Sequence, residues 1–488
     1  MMKQKIKIGW AQSSITPTRP VIMLGQMYQR VSQYVHDPIT ATAMVIENGI
    51  EQTTFVSMDM TEVPVHAFEQ LREMLKEYKE IDFNKISFNV THSHNSTDFF
   101  SDFMRDENEH VYGKEILPQI GLPQNLLTFD EAQKYFVDVI GQLIIRAWES
   151  RKEGGVSTAH DYAVVGFNRR PVFMHNGEKE SIMYGDCSRP DFVRFEGGVD
   201  NAVEMLYTWN KSGELTGVVV NVPCPSQVYE LHSFISADYW CPTRSEIREK
   251  LGNIYILPVC GAAGDLAPID LVKISKTNKE ALLEWGGQTK EVFRNFDMTL
   301  ECQQIAARIS EAVVRGYKTA KNYIDYIPVF KHQVLEMKLP IRKVSEEDYR
   351  KAMKQVGEIK AKYSKENPMT MKDLVAAFEP QGVVIRYEQQ NVSDKYSFKC
   401  HILRIGNIAV ATNPFELYHE FAQRIKARAE AEQVFIIQLS NGLGGYLPTR
   451  DAVNGGSYSS KPASTCCGPD GGDVLVEETL KVIGKLWS

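Results

Sequence analysis

Apolar and polar positions alternate along this chain in two rhythms, and the rhythms predict its elements. Residues 43–47 and 54–58 are short, apolar, β-rich runs that read as buried strands. Thr61 then opens an amphipathic helix with Val65, Phe68, Leu71 and Leu75 on one face, and Pro64 is tolerated in its first turn. Residues 86–90 form another strand, which gives a β-β-α-β opening. Thr128-Phe129-Asp130-Glu131 is a capping box; the helix behind it buries Tyr135, Phe136, Val139, Ile140, Leu143 and Ala147. Three strands fall within 193–222 and another spans 254–259. A helix covers 300–317, with Ile305, Ile309, Ala312 and Val313 inward, and a charged helix opened by Ser345 covers 345–363. Strands are expected at 382–387, 399–404, 408–412 and 434–439, with a helix starting at Pro414. A glycine-rich loop that includes 468–472 leads to a terminal helix over 474–486.

The expectation is an α/β fold: a multi-layered, mixed β-sheet core flanked by helices, as one domain over residues 1–488. Two stretches interrupt it. Residues 95–127 lack a period and carry Asp102, Arg105, Asp106, Glu107 and Glu109, so they read as a lid, a substrate loop or a surface insertion. Residues 341–380 read as a helical insertion.

Charge and composition narrow the function. A net charge of −7 argues against a nucleic-acid-binding surface. No apolar run is long enough to span a bilayer. The basic start, Met1 to Lys7, lacks the apolar segment of a signal peptide, which suggests a cytoplasmic protein, or a secreted one if a leader was removed. Eight cysteines are scattered, with Cys466-Cys467 the only close pair, which suits a reducing compartment.

The candidate chemistry lies at strand ends. His92 and His94 follow the strand 86–90; in an extended strand alternate side chains share a face, so both imidazoles could meet one metal, or one could bind metal while the other moves a proton. Cys224 follows the strand ending at Val222. Residues 261–265 follow the strand 254–259, and residues 441–446 follow the strand 434–439. Glu416 lies just past residues 408–412. Imidazole, thiolate, carboxylate and phenolate together would suit Zn2+. Asp265 could orient a ligand or cap a turn, Asp59 likewise, and Cys260 reads as core. Gly442 to Gly445 lacks the lysine and hydroxyl residue of a phosphate-binding loop.

The ordered set of motifs resembles the neutral/alkaline, non-lysosomal ceramidase family: Gly9-Trp10-Ala11 with Ile15-Thr16-Pro17, Thr91-His92-Ser93-His94, Asn168-Arg169, Gly264-Asp265, and Gly445-Tyr446-Leu447-Pro448-Thr449-Arg450 with Gly455-Gly456-Ser457-Tyr458. The resemblance runs from about residue 9 to residue 483, and the expectation is a catalytic domain without that family's C-terminal immunoglobulin-like domain. It implies a zinc-dependent hydrolase acting on an amide of a ceramide-like lipid, with zinc held by His92, Glu416, Tyr446 and a second histidine. It places Arg169 and Tyr458 beside the substrate carbonyl and His94 beside the metal, as general acid/base. This sequence departs from the family twice. Cys224 stands where the second zinc histidine belongs, with His232 eight residues on as a substitute, and Gly261 stands where the family has a serine that takes part in amide cleavage. Ceramide specificity therefore does not carry over. A carbohydrate substrate and a catalytically silent ligand-binding relative are the alternatives.

Overall fold

The computed structural model describes residues 4–97, 103–118, 121–277, 282–284, 290–292 and 298–488. Its centre is an eight-stranded mixed sheet built from β1 (Ile6–Ser14), β2 (Thr40–Glu47), β3 (Gln52–Met58), β4 (Ile86–Val90), β5 (Lys152–Tyr162), β6 (Ala202–Asn210), β7 (Leu215–Val222) and β8 (Tyr255–Cys260). The strand order is β8-β7-β6-β5-β1-β2-β3-β4. Only the outermost pairs, β3/β4 and β7/β8, are parallel. A second sheet of four strands, β9 (Phe330–Pro340), β10 (Lys395–Ile405), β11 (Ile408–Thr412) and β12 (Gln433–Ile437), packs against it.

Between the sheets lies an apolar layer in which Trp10, Ile46, Phe55 and Leu257 meet Leu403, Val410 and Phe435. Strands buried on both faces are apolar almost throughout, which is why they appear as unbroken runs rather than clean alternations. Helices close the outer faces. Phe129–Glu149, opened by the expected capping box at Thr128, covers the large sheet with Phe68–Leu75. His419–Arg428 and Pro469–Trp487 cover the small one. The multi-layered α/β architecture is therefore the one the rhythms predict. No helix among the described residues is long and apolar enough to cross a membrane.

Several local expectations fail for identifiable reasons. Residues 382–387 are not a strand; they lie in the helix Met371–Gln390, whose Thr370 capping box and long register override a short β-branched run. The helix expected from Thr61 begins only at Phe68, after a single turn over Val65–Ala67, because Pro64 disfavours helical backbone at Val63 before it. The helix expected from Pro414 begins at His419, since Glu416–Leu417 pairs as a strand with Tyr446–Leu447. Residues 468–472 are not a loop: Pro469 occupies the first turn of the terminal helix. The stretch 95–127 includes the helix Phe103–Tyr112. Val111, Tyr112 and Ile116 share an apolar cluster with Ala352 and Val384 of the helices Glu346–Lys360 and Met371–Gln390. Residues 98–102 of that stretch, with Asp102, and residues 119–120 lie outside the described residues.

A buried histidine pair ties the two sheets together. Asn441 Nδ2 donates to His401 Nε2 at 2.8 Å, His401 Nδ1 faces His332 Nε2 at 3.0 Å, and His332 Nδ1 donates to the Gln52 carbonyl at 3.0 Å. One set of neutral tautomers satisfies the whole chain. Burial pushes His332 down to about 3 and His401 well below the usual imidazole range, with Lys85 adding to both effects. Protonation is thus withheld in the folded state only. Stability from this pair is complete above pH 6.5 and falls as the pH drops towards 3. Between pH 7 and pH 5 the pair should remove roughly 3–4 kcal/mol of stability. Urea unfolding at both pH values, compared with a His332→Gln/His401→Gln double variant, measures it; an equal loss in the variant rejects the assignment.

Candidate active site

His92 does not owe its position to strand alternation. Its φ is +61°, a left-handed conformation rarely taken by residues other than glycine. The chain leaves β4 at Val90 and turns sharply, so His92 and His94 approach through a turn, with Nε2 atoms 3.3 Å apart. This corrects the extended-strand expectation and marks a strained residue held by its surroundings. The Thr61 carbonyl fixes the ring, accepting from Nδ1 at 2.7 Å, which leaves Nε2 facing Glu416 Oε2 at 3.4 Å. Burial works against a charge on His92, but Glu416 outweighs it and lifts the imidazole above its ordinary value. Burial likewise works to raise Glu416, yet His92 and Arg169 hold it below the usual carboxylate range.

His94 is different. Burial pushes it down to about 4, against the pull of Glu230. Its Nδ1 lies 3.3 Å from Glu230 Oε2, and Gln227 Nε2 lies 2.7 Å from its Nε2. Arg30 clamps this corner through the carbonyls of His94, Glu230, His232 and Leu24. Gly25, at φ +104°, passes so close that a Cβ there would sit 2.5 Å from the His94 ring. His232 turns outward and stacks on Phe234.

Glu416 and Tyr446 come together because the two-residue strands that carry them pair in parallel, residue opposite residue. The Tyr446 hydroxyl is hydrogen-bonded to the Glu416 carboxylate and accepts from Arg169 Nη2 at 3.0 Å. Arg169 also donates to the Gly264 carbonyl at 2.9 Å and to the Tyr184 hydroxyl at 3.3 Å. Tyr458 stands edge-on to Tyr446, ring centres 5.5 Å apart, and is hydrogen-bonded to it. Burial raises Tyr446 well above the ordinary phenol value, so it is a hydroxyl donor.

Asp265 uses its carboxylate on His419, at 2.6 Å from Nδ1, and on Asn168 at 3.2 Å. That pins the loop after β8 to the segment bearing Glu416. Gly264 makes this approach possible, since a Cβ there would meet the Glu416 carbonyl at 2.3 Å. Asp59 is a structural partner of Arg244.

Sequence reasoning missed Glu62, Glu230, Gln227 and Arg30. Burial pushes Glu62 up to about 7, with His92 and Glu416 as its charged neighbours. Its position was a readable signal: it follows the end of β3, the strand parallel to the one that delivers His92.

No protein-family model matches the chain and no curated protein matches it in sequence. Solved structures do match in shape, two ceramidase structures among them. "Ceramidase complexed with C2" superposes with a TM-score of 0.66 at 15% identity, over 99% of this chain and 75% of that one. Neutral ceramidase from Pseudomonas aeruginosa superposes with a TM-score of 0.65 at 15% identity, over the same shares. The fold is that of neutral ceramidase.

The ceramidase resemblance implies a zinc ion, and the donors show how far this chain suits one. With Nδ1 committed to Thr61, His92 presents Nε2 to Glu416, and Tyr446 stands on the same carboxylate; these three suit a cation. Cys224 lies within electrostatic reach of Arg169 but is held as a thiol. Its thiol donates to the Pro225 carbonyl at 3.5 Å, it packs with Val222 and Val228, and burial pushes it well above the ordinary thiol value, away from thiolate. Among the described residues no group of three or more His, Cys, Asp and Glu is arranged to hold a metal. Cys224→Ala should therefore leave zinc affinity within about twofold of the parent by calorimetry, whereas a tenfold loss would make the thiol a ligand. Cys260 is also buried in the ceramidase fold, its thiol pushed up to about 12 by burial. At Gly261 a Cβ would lie 3.0 Å from Pro223, so a serine there would require its neighbour to give by a few tenths of an ångström.

Proposed function

We propose that this chain is a hydrolase that uses the ceramidase fold to cleave an amide bond in an N-acylated, lipid-like substrate. The observation that supports it is the convergence of an imidazole, a carboxylate and an arginine–tyrosine donor pair from separate chain segments at one buried place: His92, Glu416, Arg169 and Tyr446.

His92, Glu416 and Tyr446 would hold zinc, with the His94 nitrogen next in reach; bound there, zinc would supply Lewis-acid polarisation and a more acidic water. The chain's own groups supply the rest. With glycine at residue 261, no side-chain hydroxyl stands ready as nucleophile at that place, so water attacks the carbonyl. His94, held neutral by burial and oriented by Glu230, receives the proton released by that water and returns it to the leaving nitrogen. Arg169 and Tyr458 donate towards the oxygen on which charge develops. The C–N bond breaks as the C–O bond to water forms.

Purified protein should release fatty acid from a fluorescent N-acyl sphingosine analogue, with chelator abolishing and zinc restoring the release. The same preparation tested on chromogenic glycosides and esters decides the bond type. Turnover of glycosides alone moves the site to carbohydrate. Absence of turnover on every substrate, with retained binding of the analogue, leaves a ligand-binding protein.

A further inference from the structure

The eight cysteines divide sharply. Cys187, Cys224, Cys241, Cys260, Cys302 and Cys400 are all pushed up by burial. Cys466 is the exception, drawn below the ordinary thiol value first by a hydrogen bond from Cys467, with Arg386 helping. The geometry singles out the same pair. Neighbouring side chains on an extended backbone point to opposite faces, yet a bend at Cys466 brings the two sulfurs to 3.8 Å. Cys467 is fully buried, and Cys466 is buried as well but keeps 8% exposure.

This pair touches the loop that presents Tyr446. Cys466 Sγ donates to the Gly444 carbonyl at 2.8 Å, two residues before Tyr446. Thr465 forms a β-bridge to Gly445, and Cys467 forms one to Ile341. The Cys466 carbonyl accepts from Arg342 N at 2.8 Å. Any change at the sulfurs is therefore delivered to residues 444–446.

We propose that Cys466 and Cys467 form a thiol redox site, closed to a vicinal disulfide by oxidants of the hydroperoxide class, and that closure repositions the loop bearing Tyr446. The Cys466 sulfur attacks one peroxide oxygen. An S–O bond forms, the O–O bond breaks, and the departing hydroxide leaves as water with the Cys466 proton. The Cys467 sulfur then attacks the Cys466 sulfur; the S–S bond forms, the S–O bond breaks, and a second water leaves with the Cys467 proton. Two thiols lose two electrons and one hydrogen peroxide becomes two waters. The S–H donor to Gly444 is lost in the process.

Intact-mass measurement of the full chain after brief treatment with hydrogen peroxide tests the site. The expected result is a loss of about 2 Da, reversed by dithiothreitol. Peptide mapping should place the bridge between residues 466 and 467, and hydrogen exchange at residues 443–447 should rise in the oxidised form. Cys466→Ser and Cys467→Ser should each abolish the mass loss, while Cys260→Ser keeps it. A bridge mapped to another pair, or oxygen addition without a bridge, overturns the site. A bridge that leaves exchange at 443–447 unchanged overturns the coupling to Tyr446. The wild-type map stands even if a variant misfolds, and none of these readouts depends on the substrate reading.

Discussion

Replacing His92 with asparagine is expected to lower amide turnover by about a thousandfold, within the range that removing a proton-transfer or metal-binding group produces. Asparagine is the informative substitution because it accepts the left-handed backbone at residue 92, whereas alanine would mix chemistry with strain. The thermal midpoint should fall only slightly, since the backbone and the Thr61 neighbour remain. Steady-state rates and calorimetry on the same preparation separate the two effects. A rate within tenfold of the parent would take His92 out of the chemistry. An equally large rate loss accompanied by collapse of the melting transition would make it a structural residue.

The largest effect on stability is expected away from the chemistry. Arg244 and Asp59 form a buried two-pronged ion pair, both contacts at 2.8 Å, with Asp59 fully buried. Asp59 also accepts from Thr40 N at 2.8 Å and lies two residues before Thr61, whose carbonyl holds His92. Arg244→Met strands the carboxylate and should destabilise the protein by roughly 3–5 kcal/mol, because the desolvated charge keeps its penalty and loses its partner. Asp59→Asn/Arg244→Met should recover part of that loss. Urea unfolding of the single and double variants reads both numbers; a single-variant loss under about 1 kcal/mol would show that water reaches the carboxylate.

Candidate site residues were legible where a residue type is rare and its setting local. His92, Glu416 and Tyr446 stand next to strand ends, and strand ends are visible as apolar runs that stop; Arg169 was marked by the family resemblance alone. Glu230 and Arg30 were not legible, because their significance comes from neighbours far along the chain. Arg30 and Glu230 meet across two hundred positions, through the Glu230 carbonyl. The failed strand at 382–387 teaches the same lesson in miniature: a six-residue window cannot see the capping box at Thr370 that makes it helix.

Local composition alone settled the α/β class, the apolar strands of both sheets and the long capped helix after Thr128, since burial pattern and capping depend on residues within a few turns of one another. Three things waited on the tertiary structure: the left-handed turn at His92, the parallel pairing that sets Glu416 beside Tyr446, and the burial that keeps the Cys224 thiol protonated. Each depends on which distant segments share a low-dielectric space, and that is a property of packing rather than of any stretch of sequence.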